Sequence, residues 1–383
     1  MKYFVIAGEA SGDLHARHLM DAIRTEDAEA EIKYWYRPDL AYMGFVSVAL
    51  HLGEILRGMD ECKTAISVFN PDRLVLVDYP GFNLKMAKWF FETYVANNSE
   101  TPKVFYYIPP KIWAWKEGRI EQIRKYVDVV LSILPFEVKW YNDRYAFPVE
   151  YVGNPTYDEI KDFSSSLTEG KMSEWRMSLA LHNKKVLALM PGSRRQEIER
   201  NLPMMLNACK NVGGDYVYVV ASAPSMDKGF YEDIIARAVG EPDNEFRERV
   251  VLMPSQGSNS SFMLLHNSYG ALVTSGTATL ETAIIGVPQV VCYSMACGRL
   301  MSCLRRLFLK VPYVSLVNLI VGHQVVPELV AGDMTPVALE RNLHLMLKDT
   351  NFRQRQLDGY SVLRKILGDC GAPLKAAKKI CVR

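Results

Sequence analysis

Short apolar runs bounded by turn residues alternate with stretches of helical periodicity, and this alternation starts over once near the middle of the chain. The first series is Lys2 to Ala7, Arg73 to Val77, Lys103 to Ile108, Asp128 to Leu134 (stopped by Pro135) and Tyr151 to Val152 (stopped by Gly153). The second is Lys185 to Met190, Tyr216 to Ala221, Val250 to Met253, Gly270 to Thr274 and Gln289 to Tyr293. Runs of this kind are strands covered on both faces, and strands separated by helices pair in parallel through crossovers. Two such series predict an α/β protein with two Rossmann-like domains facing across a cleft.

The 383 residues exceed what one ordinary core holds. Between the two series lies the polar, serine-rich stretch Tyr157 to Lys171, which reads as a connector. The expected division is an N-terminal domain over 1–160, a linker over 161–180 and a C-terminal domain over 181–355. Residues 356–383 form a helical segment able to cross back to the first domain. A net charge of +2 gives no polyanion-binding footprint, so nucleic acid is not an expected partner. No apolar run reaches the roughly 18 residues that span a bilayer. Tyr3 to Ala7 is too short for a signal-peptide core, so a cytoplasmic location is expected. The seven cysteines contain no CxxC, which predicts reduced thiols, with neither disulfides nor zinc.

Two loops of the second series suit a diphosphate. Strand Leu272 to Thr274 runs into Ser275, Gly276 and Thr277, where a helix begins. Glycine permits close backbone approach, the hydroxyls donate, and a helix N-terminus presents free N–H groups. Glu281, about one turn on, could accept from ribose hydroxyls. The other loop is Gly192, Ser193 and Arg194 after strand Lys185 to Met190, with a guanidinium placed to fork onto phosphate. Either loop, alone, is equally readable as a capped helix start that binds nothing. Together, at the carboxyl edge of one sheet, they support each other.

In the first series, Asp78 ends the strand Arg73 to Val77 and could serve as a general base towards a sugar hydroxyl; a turn-capping aspartate before Pro80 is the alternative. The loop Gly8 to Asp13 follows the first strand but is neither GxGxxG nor a P-loop. In Ile108 to Trp115 the prolines fix an extended loop, and Trp113 and Trp115 either line a site or pack the domain. Two amphipathic stretches suit a lipid surface or an ordinary core. Over Gly44 to Met59 one helical face is apolar, while Val46 and Leu50 fall outside it. Over Arg299 to Lys310, Arg299, Arg306 and Lys310 oppose an apolar face, with Arg305 at the flank. No HExxH, DxD or acidic metal cluster occurs, so no metal or other cofactor is expected. Arg194 and the helix N-terminus would then have to stabilise a leaving diphosphate.

In order along the chain, AGEASGD (Ala7 to Asp13), AYMGF (Ala41 to Phe45), VDYPGFN (Val77 to Asn83), IWAW (Ile112 to Trp115), LPFE (Leu134 to Glu137), PGSRRQEI (Pro191 to Ile198), SGTATLE (Ser275 to Glu281), YVSLVN (Tyr313 to Asn318) and PEL (Pro327 to Leu329) together resemble the lipid-A-disaccharide synthase family of Gram-negative bacteria. The resemblance implies a metal-free GT-B glycosyltransferase. Such an enzyme moves 2,3-diacylglucosamine from its UDP derivative onto 2,3-diacylglucosamine 1-phosphate through an inverted β-1,6 bond and releases UDP. It implies Asp78 as the base and Gly192, Ser193, Arg194, Ser275, Gly276, Thr277, Glu281 and Asn318 around the UDP-sugar. Gly8, Glu9, Ser11, Met43 and Trp113 would line the acceptor side. Val46, Leu50, Arg299, Arg305, Arg306 and Lys310 would meet anionic lipid at the inner membrane surface, with a homodimer left open. The chain departs from the family pattern in three places. Only Arg37 to Leu40 separates Glu31–Tyr36 from AYMGF, Pro109-Pro110-Lys111 replaces SPS or SPK, and Gly153-Asn154-Pro155 replaces a GHP-like turn. A UDP-N-acetylglucosamine 2-epimerase and a catalytically silent lipid or nucleotide binder remain the alternatives.

Overall fold

A computed structural model describes residues 1–8, 10–37, 51–95, 102–181, 183–240, 244–255, 257, 259–274, 276–294 and 311–382. The described chain divides into two units, Met1–Asp158 with Asp369–Arg383, and Glu159–Gly368. The first unit runs β1 (Lys2–Ala7), α1 (Ala10–Glu26), β2 (Glu31–Tyr36), α2 (Leu52–Phe69), β3 (Arg73–Val77), α3 (Pro80–Phe90), β4 (Lys103–Tyr107), α4 (Ile120–Tyr126), β5 (Val129–Ser132), α5 (Pro135–Tyr145) and β6 (Glu150–Tyr151). Helix α6 (Pro155–Ser166) follows.

The second unit continues with α7 (Glu169–Ser178), β7 (Lys185–Met190), α8 (Arg195–Lys210), β8 (Tyr216–Ala221), α9 (Lys228–Val239), α10 (Asn244–Glu248), β9 (Val250–Met253), α11 (Ser260–His266), β10 (Ser268–Val273), α12 (Thr277–Ile285), β11 (Gln289–Tyr293), α13 (Leu316–Val321), β12 (Glu328–Val330), α14 (Pro336–Lys348) and α15 (Thr350–Leu367). The last helix, α16 (Ala372–Ile380), belongs to the first unit. The polar stretch expected as a linker over 161–180 is therefore largely helical, in α6 and α7. Thr168 starts α7 by accepting the Lys171 N–H, and Trp175 and Leu179 supply the apolar contacts that pin the segment to the unit's core.

Each unit holds one six-stranded sheet, in the orders β2-β1-β3-β4-β5-β6 and β12-β11-β10-β7-β8-β9, and every pairing is parallel. Alternate residues of β1 feed opposite cores. Phe4 and Ile6 face α2 and α3, while Tyr3 and Val5 pack with α1 and with Ala376, Ala377 and Ile380 of α16. The C-terminal helix is fastened there by Asp158, whose carboxylate accepts the Gly371 and Ala372 N–H groups at 3.0 and 2.7 Å. Cys62, Cys209 and Cys292 are buried free thiols.

The strand order reverses between β1 and β3 in one sheet and between β7 and β10 in the other. Ligands of open parallel sheets bind beyond the carboxyl ends at such points, where flanking connections leave in opposite directions. Gly8 and Asp78 follow β1 and β3; Gly192 and Gly276 follow β7 and β10.

Candidate active site

In the second unit, Thr274 donates its N–H to Met190 at 2.9 Å, bringing the ends of β10 and β7 together. Gly276 is the N-cap of α12 with φ 132° and ψ −155°, a conformation closed to other residues. Gly276 and Thr277 are exposed. Thr279 closes the first turn by donating to the Gly276 carbonyl at 2.8 Å, so its hydroxyl is committed internally. Across the reversal, Gly192 is half-buried and Ser193 and Arg194 are exposed, with Arg194 as N-cap of α8.

This second loop carries an anion of its own. The Glu197 carboxylate accepts from the Ser193 and Arg194 N–H groups at 3.3 and 3.4 Å and pairs with the Arg194 guanidinium at 3.3 Å. The Tyr293 hydroxyl reaches the same carboxylate at 3.5 Å. These are long contacts for hydrogen bonds, on the donors that suit a phosphate.

Asn201, on α8, received no role from the sequence. Fully buried, it donates to the Pro191 carbonyl at 3.1 Å and the Thr274 hydroxyl at 3.2 Å, and it accepts the Ser294 N–H at 2.8 Å. One side chain thus ties together the residues that follow β7, β10 and β11. An asparagine two turns into an amphipathic helix carries no signal of this in sequence.

Glu281 is half-buried on α12. Burial, reinforced by the Glu159 carboxylate, pushes its carboxyl up to about 7, so it is a mixed donor and acceptor near neutrality. Asn318 differs from its expected place on the UDP-sugar. It is fully buried. Its amide donates to the Val326 carbonyl at 2.9 Å and the Glu328 carboxylate at 2.8 Å, and its oxygen accepts from Val325 and Val326 at 2.7 and 3.0 Å. Glu328 also receives the Val314 and Ser315 N–H groups, both at 2.9 Å. YVSLVN and PEL are therefore two halves of one internal fastening, and the asparagine has no capacity left for a ligand.

In the first unit, Asp78 and Tyr79 are consecutive left-handed residues, each with φ 47°. Non-glycine residues persist there only where surroundings over-determine them. The Asp78 N–H donates to Tyr107 at 3.1 Å, and Asn83 donates its backbone N–H to Tyr79 at 3.0 Å. Tyr79 explains the glycine at the end of β1: a Cβ at Gly8 would overlap the Tyr79 ring. That ring stacks on Phe82 at 5.4 Å, and Phe82 stacks on Trp35 at 4.8 Å. A Cβ at Gly12 of α1 would touch Asp78 Cβ at 3.9 Å, so the first turn of α1 packs beside the root of the Asp78 side chain. Burial raises the Asp78 pKa, opposed by the Lys111 ammonium and the Tyr79 N–H, which suits a group that must accept a proton.

Trp113 is not a lining residue. It is 6% exposed, and its indole N–H donates to Glu137 at 2.6 Å. The Ser132 hydroxyl bonds the other Glu137 oxygen. Burial lifts Glu137 up to about 7 in spite of these two bonds. Tyr141 holds the same loop through the Pro110 carbonyl at 3.2 Å. Trp115 is the exposed partner, at 59%, with the Lys116 ammonium 4.3 Å above its ring. Among the described residues, no cluster of His, Cys, Asp and Glu could hold a metal ion.

A profile of the family described as lipid-A-disaccharide synthetase matches residues 3–369. The chain belongs to the lipid-A-disaccharide synthase family. It is 32% identical to the lipid-A-disaccharide synthase of Myxococcus xanthus over 99% of this chain and 96% of that one. With the enzyme of that name from Nitrosococcus oceani the identity is also 32%, over 95% and 92%. Family membership makes it a glycosyltransferase of lipid A biosynthesis. Among solved structures, the Neisseria meningitidis UDP-GlcNAc 2-epimerase bound to UDP-GlcNAc aligns with a TM-score of 0.65 at 11% identity, covering 99% of this chain and 98% of that one. An S. aureus MnaA–UDP co-structure aligns with a TM-score of 0.65 at 12% identity, over 99% and 94%. These likenesses assign the GT-B fold, which synthase and epimerase share.

Of the residues that the synthase resemblance marks, Glu9, Met43, Val46, Leu50, Ser275, Arg299, Arg305, Arg306 and Lys310 lie outside the described residues, as does the Ser11 side chain. The amphipathic stretch expected over Gly44 to Met59 is described only from His51. There α2 buries Gly58, Met59, Cys62 and Ile66 and leaves Leu52 and Leu56 about half exposed, at 48% and 49%. No described helix is long and apolar enough to cross a membrane.

Proposed function

We propose that the chain transfers 2,3-diacylglucosamine from its UDP derivative to 2,3-diacylglucosamine 1-phosphate, forming a β-1,6 bond and releasing UDP. The observation that carries this reading is the half-buried, strained Asp78 at the carboxyl end of β3, with its raised proton affinity. The Asp78 carboxylate takes the proton from the acceptor 6-hydroxyl, whose oxygen attacks the anomeric carbon from the face opposite UDP. The bond from that carbon to the diphosphate oxygen breaks, its electron pair leaves on UDP, and the configuration inverts. Gly192, Ser193 and Arg194, with Ser275, Gly276 and Thr277 at the start of α12, receive the diphosphate. Arg194 would exchange the Glu197 carboxylate for phosphate oxygens, which the long Glu197 contacts favour. Glu281 takes the ribose hydroxyls, and no metal is required.

Gly8, Glu9, Ser11 and Met43 border the acceptor. The acyl chains of both substrates reside in lipid, and Val46, Leu50, Arg299, Arg305, Arg306 and Lys310, extended by the exposed Leu52 and Leu56, hold the protein against an anionic membrane surface.

The test is a transfer assay with both acylated sugars. UDP release in the presence of a chelator, lost in Asp78→Ala while UDP still binds, is the expected result. An Asp78→Ala enzyme of near-normal rate removes Asp78 from the base role, and chelator-sensitive turnover removes the metal-free scheme. Incubation with UDP-N-acetylglucosamine alone should leave that compound unchanged; its conversion would assign an epimerase instead.

A further inference from the structure

We infer that Asn83 and Tyr106 are positioning residues for the transfer reaction, which together clamp the Asp78 carbonyl and so hold the Asp78 carboxylate in its working direction. The inference rests on the reading of Asp78 as the base. The Asn83 Nδ2 donates to the Asp78 carbonyl at 2.7 Å and, more weakly, to the Val77 carbonyl at 3.2 Å. The Tyr106 hydroxyl, rising from the neighbouring strand β4, donates to the same Asp78 carbonyl at 2.7 Å. Both lone pairs of that carbonyl are thereby occupied. Asn83 and Tyr106 are each fully buried.

Three features separate this arrangement from ordinary packing. First, the clamped peptide joins the two left-handed residues, Asp78 and Tyr79. Rotating it towards a relaxed conformation would swing the carbonyl away from both donors, so the two bonds add to the backbone bonds at Asp78 and Tyr79 in keeping the unfavourable backbone. Second, the orientation of Asn83 is fixed, because reversing its amide would set an oxygen against two carbonyls. Third, the arrangement is costly to the fold. The Asn83 Oδ1 is buried without a hydrogen-bond partner, a deficit that an apolar residue at this place would avoid. A buried polar group that is half satisfied, beside a strained catalytic backbone, is better accounted for by the geometry it imposes than by stability.

The Cα–Cβ direction of Asp78 follows from the peptide plane beside it. With that plane fixed, the Asp78 Cβ is held beside the first turn of α1, 3.9 Å from where a Cβ at Gly12 would sit. Burial raises the Tyr106 hydroxyl far above its ordinary range, so it remains a donor at every working pH. A base displaced by about 1 Å loses on the order of a hundredfold in rate while substrate binding, made elsewhere, survives.

The experiment measures kcat and KM for both acylated sugars in Tyr106→Phe, Asn83→Ala and the double variant, with Asp78→Asn alongside, well below each variant's melting temperature. Tyr106→Phe removes one oxygen and keeps the ring, so it retains the core even if Asn83→Ala is poorly folded. Expected is a kcat loss of about tenfold to a hundredfold in each single variant with both KM values within about threefold. The double variant should lose less than the product of the two, because both bonds serve one carbonyl. A Tyr106→Phe kcat within threefold of the parent, or losses that appear only in KM or only near the melting temperature, overturns the inference. Should Asp78→Asn itself turn over normally, the base assignment has failed, and that result is distinguishable because it does not depend on either donor.

Discussion

Asn201 donates to the Thr274 hydroxyl across 3.2 Å, joining a helix that begins at one phosphate-suited loop to the strand end that leads into the other. The same side chain holds the Pro191 carbonyl and the Ser294 N–H. Both loops proposed to receive the diphosphate are thus tied together by one buried amide.

Replacing Asn201 by alanine leaves two buried polar groups, at Pro191 and Thr274, and the half-buried Ser294 N–H without their partner. A stability loss of about 2 kcal/mol is expected in urea unfolding, with UDP affinity of the folded enzyme weakened about tenfold, or about 1.4 kcal/mol. Calorimetric titration with UDP checks the second part, and unchanged affinity would show that the loops hold their spacing without Asn201.

Asn318→Ala should behave differently. Its four bonds all fasten the segment around Val314 to Glu328, so the variant should lose about 2–3 kcal/mol of stability. The UDP dissociation constant of the folded fraction should stay within about twofold. A large selective loss of UDP affinity at unchanged melting temperature would return Asn318 to the ligand.

Gly8→Ala places a methyl group on the Tyr79 ring, which is backed by Phe82 and Trp35 and cannot retreat without moving that stack. Overpacking of this kind costs about 1–3 kcal/mol, and here it also presses on the Asp78–Tyr79 peptide. A lower melting temperature and a fall in kcat exceeding any rise in KM are expected from thermal unfolding and steady-state rates.

The stability of the first unit should depend on pH through Glu137. Its folded pKa of about 7 stands above the ordinary glutamate value of about 4.3. Between those values the unfolded chain has released the proton that the folded chain keeps, so stability is greatest below about 4.3, falls as pH rises and levels off above about 7. The contribution lost is about 3–4 kcal/mol. Glu137→Gln can still accept from Trp113 and donate to Ser132, and it should flatten this part of the profile. Denaturant unfolding at pH 5 and pH 8 makes the comparison; an unchanged slope in the variant would place the titration elsewhere.

The strand runs were legible in the sequence because a doubly covered parallel strand writes its burial into consecutive residues. Lys2–Ala7, Arg73–Val77, Lys185–Met190 and Gln289–Tyr293 carry the same bounds in the structure as in the sequence reading. Short β12, at Glu328–Val330, was not legible, since three residues give no pattern. The helices of 161–180 were hidden because their apolar contacts are few and spaced among serines and charges.

The sequence by itself also marked Asp78, Arg194 and Gly276, because a glycine, an arginine or an acid at a strand's carboxyl end has a limited set of uses. It could not tell which marked residues turn outward. Asn318 and Trp113 carry the same chemistry as a ligand-binding pair, yet their hydrogen-bonding groups are consumed by Val326, Glu328 and Glu137. Nor could it find Asn201, whose partners Thr274 and Ser294 lie 73 and 93 residues away. Local pattern determines which segments become strands and which loops meet at their ends. Whether a polar side chain there is free for a ligand depends on partners that only the folded chain brings within 3 Å or so, because a hydrogen bond is decided by distance and direction and not by composition.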